Sequence, residues 1–204
     1  MTGWSTHRGT AICLPVDNID TDQLIPARFM SRSRAEGYGD FLLYDFRRTA
    51  NGEEDTNFVL NRYPTASIVV AGRNFGSGSS REAAVYALVD AGIQTVIATS
   101  FGDIFTSNAI NNGLLPARVS DADYAKLMSL IGGCETQLDI DLTTQSIKLG
   151  SLSMSFYLAD ALCTKLVNGW DDIDLTLQHS NKIASFRKKR LHELPWSKPG
   201  TSEN

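Results

Sequence analysis

Apolar and polar positions divide this chain into an early part without clear periodicity and a later part of alternating strand and helix patterns. An apolar run predicts a strand over 67–71, helical spacing predicts a helix over 80–91, and a second apolar run predicts a strand over 94–98. Strand, helix and strand in this order predict a βαβ unit with parallel strands and a right-handed crossover.

The remaining segments extend this pattern on both sides. Residues 10–14 predict an opening strand that ends before Pro15, and 27–64 predict an excursion with short helices, one of them over 41–44. The later elements predicted in chain order are a helix from 101 to about 111, a strand at 114–117, a helix over 121–130 with Asp121 as its N-cap, strands at 136–142, 146–149 and 153–157, a helix ending at 168, and a last helix from about 175 to 190. The sequence therefore predicts one α/β domain over 1–204, with a central sheet or partial barrel flanked by helices, a tail over 191–204 and frayed residues at 201–204.

Composition limits the classes of function. The chain has 204 residues and a net charge of −4, which gives no electrostatic argument for nucleic acid. No apolar run reaches membrane-spanning length and the first residues lack a signal-peptide core, so we expect a cytoplasmic protein with no membrane partner. Cys13, Cys134 and Cys163 are widely spaced and predict no disulfide framework and no metal site. The basic run 187–190 is typical of a solvated helix end.

The glycine-rich segment between the predicted strand and helix is the main candidate for chemistry, and it reads Asn-Phe-Gly-Ser-Gly-Ser-Ser-Arg-Glu over 74–82. Glycine permits sharp turns and close approach to a ligand, and a helix N-terminus with Ser79, Ser80 and Arg81 suits a carboxylate, a phosphate or a developing alkoxide. Ser79 and Glu82 also have the spacing of a capping box. The local pattern leaves a capping role and an anion site both open.

Other sites are less well supported. The segment lacks the third glycine of a dinucleotide fingerprint and the Gly-Lys-Ser/Thr ending of a P-loop. The three histidines lack zinc-ligand spacing, and none lies near Ser79 in sequence to act as the base of a serine hydrolase. The acidic residues at 17–22 do not form a calcium loop, and Asp20, Thr21 and Asp22 are open to a simple turn-forming role.

Three motifs in order resemble one known family. They are Asp-Asn-Ile-Asp-Thr-Asp-Gln-Leu-Ile-Pro-Ala-Arg-Phe at 17–29, the glycine segment at 74–82, and Asn-Ala-Ile-Asn-Asn-Gly-Leu-Leu-Pro at 108–116. With Asn-Gly-Trp-Asp-Asp-Ile-Asp-Leu-Thr-Leu at 168–177, they resemble the small subunit of 3-isopropylmalate dehydratase of the longer bacterial type, over about residues 8–190. The same segments are similar to the swivelling domain of aconitases, and this resemblance implies a single domain of that type.

The resemblance also implies a division of labour between two subunits. A large subunit would hold a [4Fe–4S] cluster, whose iron acts as a Lewis acid, and this chain would bind no cofactor or metal itself. The two would form a heterodimer or a higher assembly that isomerises 2-isopropylmalate and 3-isopropylmalate, a step of leucine biosynthesis. Ser79 would be the catalytic base, Asp22 would help with proton handling, and Ser80 and Arg81 would hold a substrate carboxylate. The substrate side chain would lie against the excursion 27–64, where Arg28, Arg32 and Arg34 are further candidates.

Two positions depart from the family pattern. Members commonly read Gly-Cys-Gly-Ser-Ser-Arg-Glu-His, whereas this chain has Ser77 and Ala83. The alternatives that remain are the small subunit of a related hydro-lyase for 2-methylmalate (giving citraconate), dimethylmalate or homoaconitate, and a non-catalytic anion-binding module.

Overall fold

The computed structural model describes residues 2–198. Its centre is one mixed seven-stranded sheet with the order β4-β3-β2-β1-β5-β6-β7. The strands are β1 (Thr6–Leu14), β2 (Ile68–Ala71), β3 (Thr95–Ala98), β4 (Leu115–Arg118), β5 (Thr136–Asp141), β6 (Ser146–Leu149) and β7 (Leu152–Ser155). The four strands β1 to β4 are parallel, while β1–β5, β5–β6 and β6–β7 pair antiparallel. The predicted α/β class with a central sheet is confirmed.

Helices and turns connect these strands. The helices are α1 (Thr21–Leu24), α2 (Val59–Arg62), α3 (Glu82–Asp90), α4 (Asp103–Asn111), α5 (Asp121–Ile131), α6 (Asp160–Asn168), α7 (Asp172–Leu177) and α8 (Ser180–Glu193). Short 3-10 turns lie at Ala27–Phe29, Arg34–Glu36, Gly39–Phe41 and Pro195–Ser197. The predicted βαβ unit is β2-α3-β3, whose strands are parallel.

The parallel strands are buried on both faces, which explains why they read as continuous apolar runs. Alternate residues of β2 belong to different cores: Val69 packs with α3 and the excursion, whereas Ile68 and Val70 pack with α5 and β5–β7. Because side chains alternate across a strand, one short apolar run supports two core layers. Because β1, β2 and β3 are parallel neighbours, the loops that follow them lie together at the carboxyl ends of these strands.

Local capping explains where the structure differs from the predicted elements. Helix α5 has Ser120 as its N-cap, with the Ser120 hydroxyl accepting from the Asp123 N–H, so the prediction of Asp121 was wrong. The single predicted helix over 175–190 is two helices, since the helical conformation is interrupted at 178–179 and resumes with His179 as the N-cap residue of α8. The first of them, α7, begins earlier than predicted because Asp171 and Asp174 form a capping box.

Three further boundaries differ. The predicted helix over 41–44 is the end of a 3-10 turn followed by Leu43 in a left-handed conformation, with φ +49°. Strand β1 starts at Thr6 rather than at Thr10, because its first half pairs with β5. Helix α8 continues to Glu193, so the predicted tail over 191–204 begins inside a helix, and the predicted frayed residues 201–204 lie outside the described residues.

Candidate active site

The glycine-rich loop after β2 is a tight turn fixed against two neighbouring loops. Gly76 has φ +70°, and a Cβ built there would lie 2.2 Å from Cγ of Phe105, so only glycine fits at this position. Phe75 donates its N–H to the carbonyl of Ser100 at 3.1 Å, which joins this loop to the one after β3. The backbone of 74–78 is therefore held in place before α3 begins.

The loop after β1 is joined to the other side of the same turn. The N–H of Gly76 donates to the carbonyl of Ile19 at 2.7 Å, and the N–H of Thr21 donates to the carbonyl of Ser77 at 2.9 Å. Asp20 caps α1, since its carboxylate accepts from the Gln23 N–H at 2.7 Å. Asp20 thus has a structural role, but as a helix cap rather than as a turn former, while Thr21 and Asp22 have side-chain partners elsewhere.

Ser79 does not cap the helix, which corrects the capping-box interpretation. Helix α3 starts at Glu82, with Arg81 as its N-cap residue and no side-chain hydrogen bond to the cap. The hydroxyl of Ser79 lies 3.1 Å from that of Thr21 instead. Ser79 and Ser80 are both exposed, and within residues 2–198 their N–H groups donate to no protein acceptor. A hydroxyl and unpaired N–H groups thus face solvent just before the positive end of α3, as an anion site requires.

Arg81 adds a positive charge at the same place. Its guanidinium forms an ion pair with the carboxylate of Asp22, which bridges the loops after β1 and β2. The Arg81 side chain is 24% exposed and the Asp22 side chain 55%, so both remain reachable from solvent. Four residues predicted from the sequence, Asp22, Ser79, Ser80 and Arg81, therefore lie together.

The three candidate arginines of the excursion have other partners. Arg28 forms a two-pronged ion pair with Asp45, and this hydrogen bonding raises the pKa of its guanidinium above the ordinary value. Arg32 pairs with Glu36 at 3.4 Å, and Arg34 lies 3.8 Å from Asp90 of α3 and 3.5 Å over the Tyr86 ring. The structure shows no hydrogen bond between these arginines and the Ser79–Arg81 segment, within the residues that it describes.

Sequence reasoning missed the functional placement of Thr21. The sequence indicates it only as part of an acidic turn, yet its hydroxyl lies within hydrogen-bonding distance of the Ser79 hydroxyl, at 3.1 Å. The signal was its position between Asp20 and Asp22 in the quoted motif, but nothing local in the sequence indicates that residue 21 contacts residue 79.

No cluster of potential metal ligands is found among the described residues. Between residues 2 and 198, no three His, Cys, Asp or Glu side chains lie close enough together to hold a metal ion. Burial raises the pKa of the Cys13 thiol to about 11, so it is protonated at neutral pH and is a poor ligand.

None of the helices over 2–198 combines the length and apolar character needed to cross a bilayer.

Comparison with known proteins identifies the class of this fold. Residues 1–122 match the family model of the aconitase C-terminal domain, and 172–199 match that of the C-terminal domain of the small subunit in 3-isopropylmalate dehydratase. A small-subunit protein from Caulobacter vibrioides is 44% identical over 96% of this chain and 98% of its own length. One from Shouchella clausii is 41% identical over 90% and 94%.

A solved structure agrees with these sequence matches. The crystal structure of 3-isopropylmalate dehydratase (LeuD) from Methanocaldococcus jannaschii aligns with a TM-score of 0.63 at 28% identity, covering 89% of this chain and 99% of that one. The fold is thus that of the aconitase C-terminal domain. The chain belongs to the family of 3-isopropylmalate dehydratase small subunits.

Proposed function

We propose that this chain supplies the serine, the arginine and the acidic residue of a dehydratase site that interconverts 2-isopropylmalate and 3-isopropylmalate. The observation that carries the proposal is the exposed Ser79 hydroxyl, which caps no helix and belongs to the same short segment as the unpaired N–H groups of 79 and 80 and the Arg81 guanidinium. A structural capping role would have used this hydroxyl at the start of α3. Its availability supports a role toward a ligand.

Ser79 is the proposed base that accepts the proton from the substrate carbon. A serine hydroxyl is too weak an acid to be ionised unaided, so its surroundings must favour negative charge on oxygen. The N-terminal end of α3, the N–H groups of Ser79 and Ser80, and the charge of Arg81 all act in that direction. Isomerisation is completed when the protonated base gives a proton to the neighbouring carbon, as water is added back to the unsaturated intermediate in the opposite sense.

Arg81 and Ser80 are the proposed ligands of a substrate carboxylate. A guanidinium can bind a carboxylate with two parallel hydrogen bonds, and the ion pair with Asp22 places one carboxylate against this guanidinium already. A bound substrate must share Arg81 with Asp22 or displace it. Asp22 is then free for its proposed part in handling the proton of the departing hydroxyl.

The rest of the site is proposed to come from a large, cluster-bearing subunit. Ser79 and Ser80 are exposed, and the described residues contain no cluster of three possible metal ligands; both observations support the proposal that this chain forms one wall of the site. Family members are called small subunits, which supports a larger partner. A heterodimer or higher assembly would bury the exposed hydroxyl and exclude bulk solvent from the site, apart from the water that reacts.

The test of the catalytic assignment is Ser79→Ala in the assembled enzyme. We expect turnover to fall below about one thousandth of wild type, while thermal stability and assembly with the large subunit stay unchanged. Ser153→Ala on β7 makes the same chemical change at another exposed serine and should be fully active. Activity of Ser79→Ala near that of Ser153→Ala would refute the assignment.

The substrate is tested separately. The assembled enzyme should turn over isopropylmalate in preference to 2-methylmalate, dimethylmalate and homoaconitate. Turnover of methylmalate without isopropylmalate would assign the chain to a related hydro-lyase. A failure to co-purify with any iron–sulfur protein would favour a stand-alone anion-binding module.

A further inference from the structure

Thr21 is a buried polar residue with one side-chain partner. It is 2% exposed, and its hydroxyl lies 3.1 Å from the Ser79 hydroxyl. Its backbone is fixed on both sides, since its N–H donates to Ser77 and its carbonyl accepts from Ile25 at 3.1 Å. The threonine hydroxyl therefore has little freedom to move away from Ser79.

The burial of Thr21 favours its hydroxyl as the donor of this hydrogen bond. A buried hydroxyl proton needs an acceptor, and the hydrogen bonds among residues 2–198 offer Thr21 only the oxygen of Ser79. Ser79, which is exposed, can direct its own proton elsewhere. The favoured arrangement therefore has Thr21 donating and Ser79 accepting, with the Ser79 proton directed toward the open face of the site.

Gly78 lies next to this contact. Its φ is +97°, and a Cβ built there would lie 3.4 Å from Oγ1 of Thr21. That distance is an ordinary van der Waals contact, so it is the positive φ of this tight loop, rather than a lack of space, that favours glycine at 78. The substrate side of Ser79 stays open.

We propose that Thr21 is a positioning residue for the dehydration reaction, which orients Ser79 and donates a hydrogen bond to its oxygen as negative charge develops there. This inference rests on the proposed role of Ser79 as the base. A fixed donor on the buried side contributes more to the transition state than to substrate binding, because the charge on oxygen is greatest during proton transfer. Loss of the hydroxyl should therefore lower kcat and leave KM nearly unchanged.

The experiment compares substitutions of Thr21 in the enzyme assembled with its large subunit. Thr21→Val removes the hydroxyl at nearly constant shape and should lower kcat at least about tenfold, with KM within about threefold. Thr21→Ser restores the hydroxyl and should return kcat to within about threefold of wild type. If Val does not assemble, Thr21→Ala against Thr21→Ser provides the same comparison.

The matched control is Thr95→Val. Thr95 is fully buried in β3, and its hydroxyl has no partner within the described residues, so this substitution makes the same chemical change without removing a hydrogen bond. Its kcat and KM should both equal those of wild type. A normal kcat in Thr21→Val, or an equal loss in Thr21→Val and Thr21→Ser, would overturn the inference. Activity in Ser79→Ala would instead overturn the proposed function on which it rests.

Discussion

Arg81 and Asp22 are 59 residues apart in sequence, and they meet because the loops after β1 and β2 are neighbours. Their ion pair is partly exposed, so it contributes little to stability, and its value lies in holding a guanidinium ready beside Ser79. The planar fork of arginine can bind a carboxylate in two places at once, whereas an ammonium group cannot.

Arg81→Lys tests this function of the fork. We expect KM for the substrate to rise at least about tenfold, because one point charge replaces two directed hydrogen bonds. Steady-state kinetics of the assembled enzyme provide the measurement. Arg8→Lys is the matched control, since Arg8 pairs with Asp139 at 3.6 Å between β1 and β5. Equal KM values in the two variants would contradict a two-pronged contact at residue 81.

At this scale the sequence predicts side chains that lie in recognisable motifs, Asp22 among them, but it does not show which residues of different motifs touch each other. Ser79, Ser80 and Arg81 adjoin in sequence, so their proximity needed only a turn. Thr21 reaches Ser79 because the loops after β1 and β2 are hydrogen-bonded to each other, which is a tertiary fact. The excursion arginines illustrate the converse, because their charge suggests binding while Asp45, Glu36 and Asp90 neutralise them.

Among the elements, the parallel strands and the βαβ unit were predicted from apolar runs. Strands buried on both faces need apolar residues at every position, so such runs are a clear signal for them. The ends of helices were predicted less well. Caps depend on which of several adjacent polar residues makes the hydrogen bond, as Ser120 does in place of Asp121. The start of α7 follows the same rule, because Asp171 is its N-cap and begins the helix before the predicted residue 175.

Lys165 ties three helices together. It lies on α6, is 3% exposed, and donates to Asn111 at the end of α4 at 2.6 Å and to the carboxylate of Asp172 at the start of α7. This hydrogen bond lowers the pKa of Asp172 below its usual value. A buried ammonium without its counter-charge is unfavourable, so the carboxylate is the critical member of the pair.

We therefore expect Asp172→Asn to lower the free energy of unfolding by about 1–2 kcal/mol at pH 7, less than for a fully buried pair because Asp172 is mostly in water. Since the folded-state pKa of Asp172 is depressed, this stabilisation is present above the unfolded value of 3.8 and is lost as pH falls through the folded pKa. Urea unfolding of wild type and variant at pH 7 and near pH 3 measures it. A stability difference that does not shrink in acid would contradict the ion pair.

Across the whole molecule, the sheet and its two cores are complete before the last helix begins. Helix α8 spans 14 residues and none of its side chains is buried. Helix α7 likewise buries none, but Asp172 connects it to Lys165. The folded body should therefore depend on the chain as far as α7 and only weakly on α8.

Two truncations separate these contributions. A chain that ends at Leu177 lacks α8 but keeps Asp172, and its thermal midpoint should lie within about 3 °C of wild type, because none of the α8 residues is buried. A chain that ends at Trp170 also loses Asp172 and leaves the buried Lys165 with Asn111 alone. Its midpoint should fall clearly further, by about 4 °C or more. Thermal unfolding followed by circular dichroism distinguishes them. Equal losses in the two chains would show that α8 packs on the body, whereas no loss in either would show that the Lys165–Asp172 pair contributes nothing to the fold.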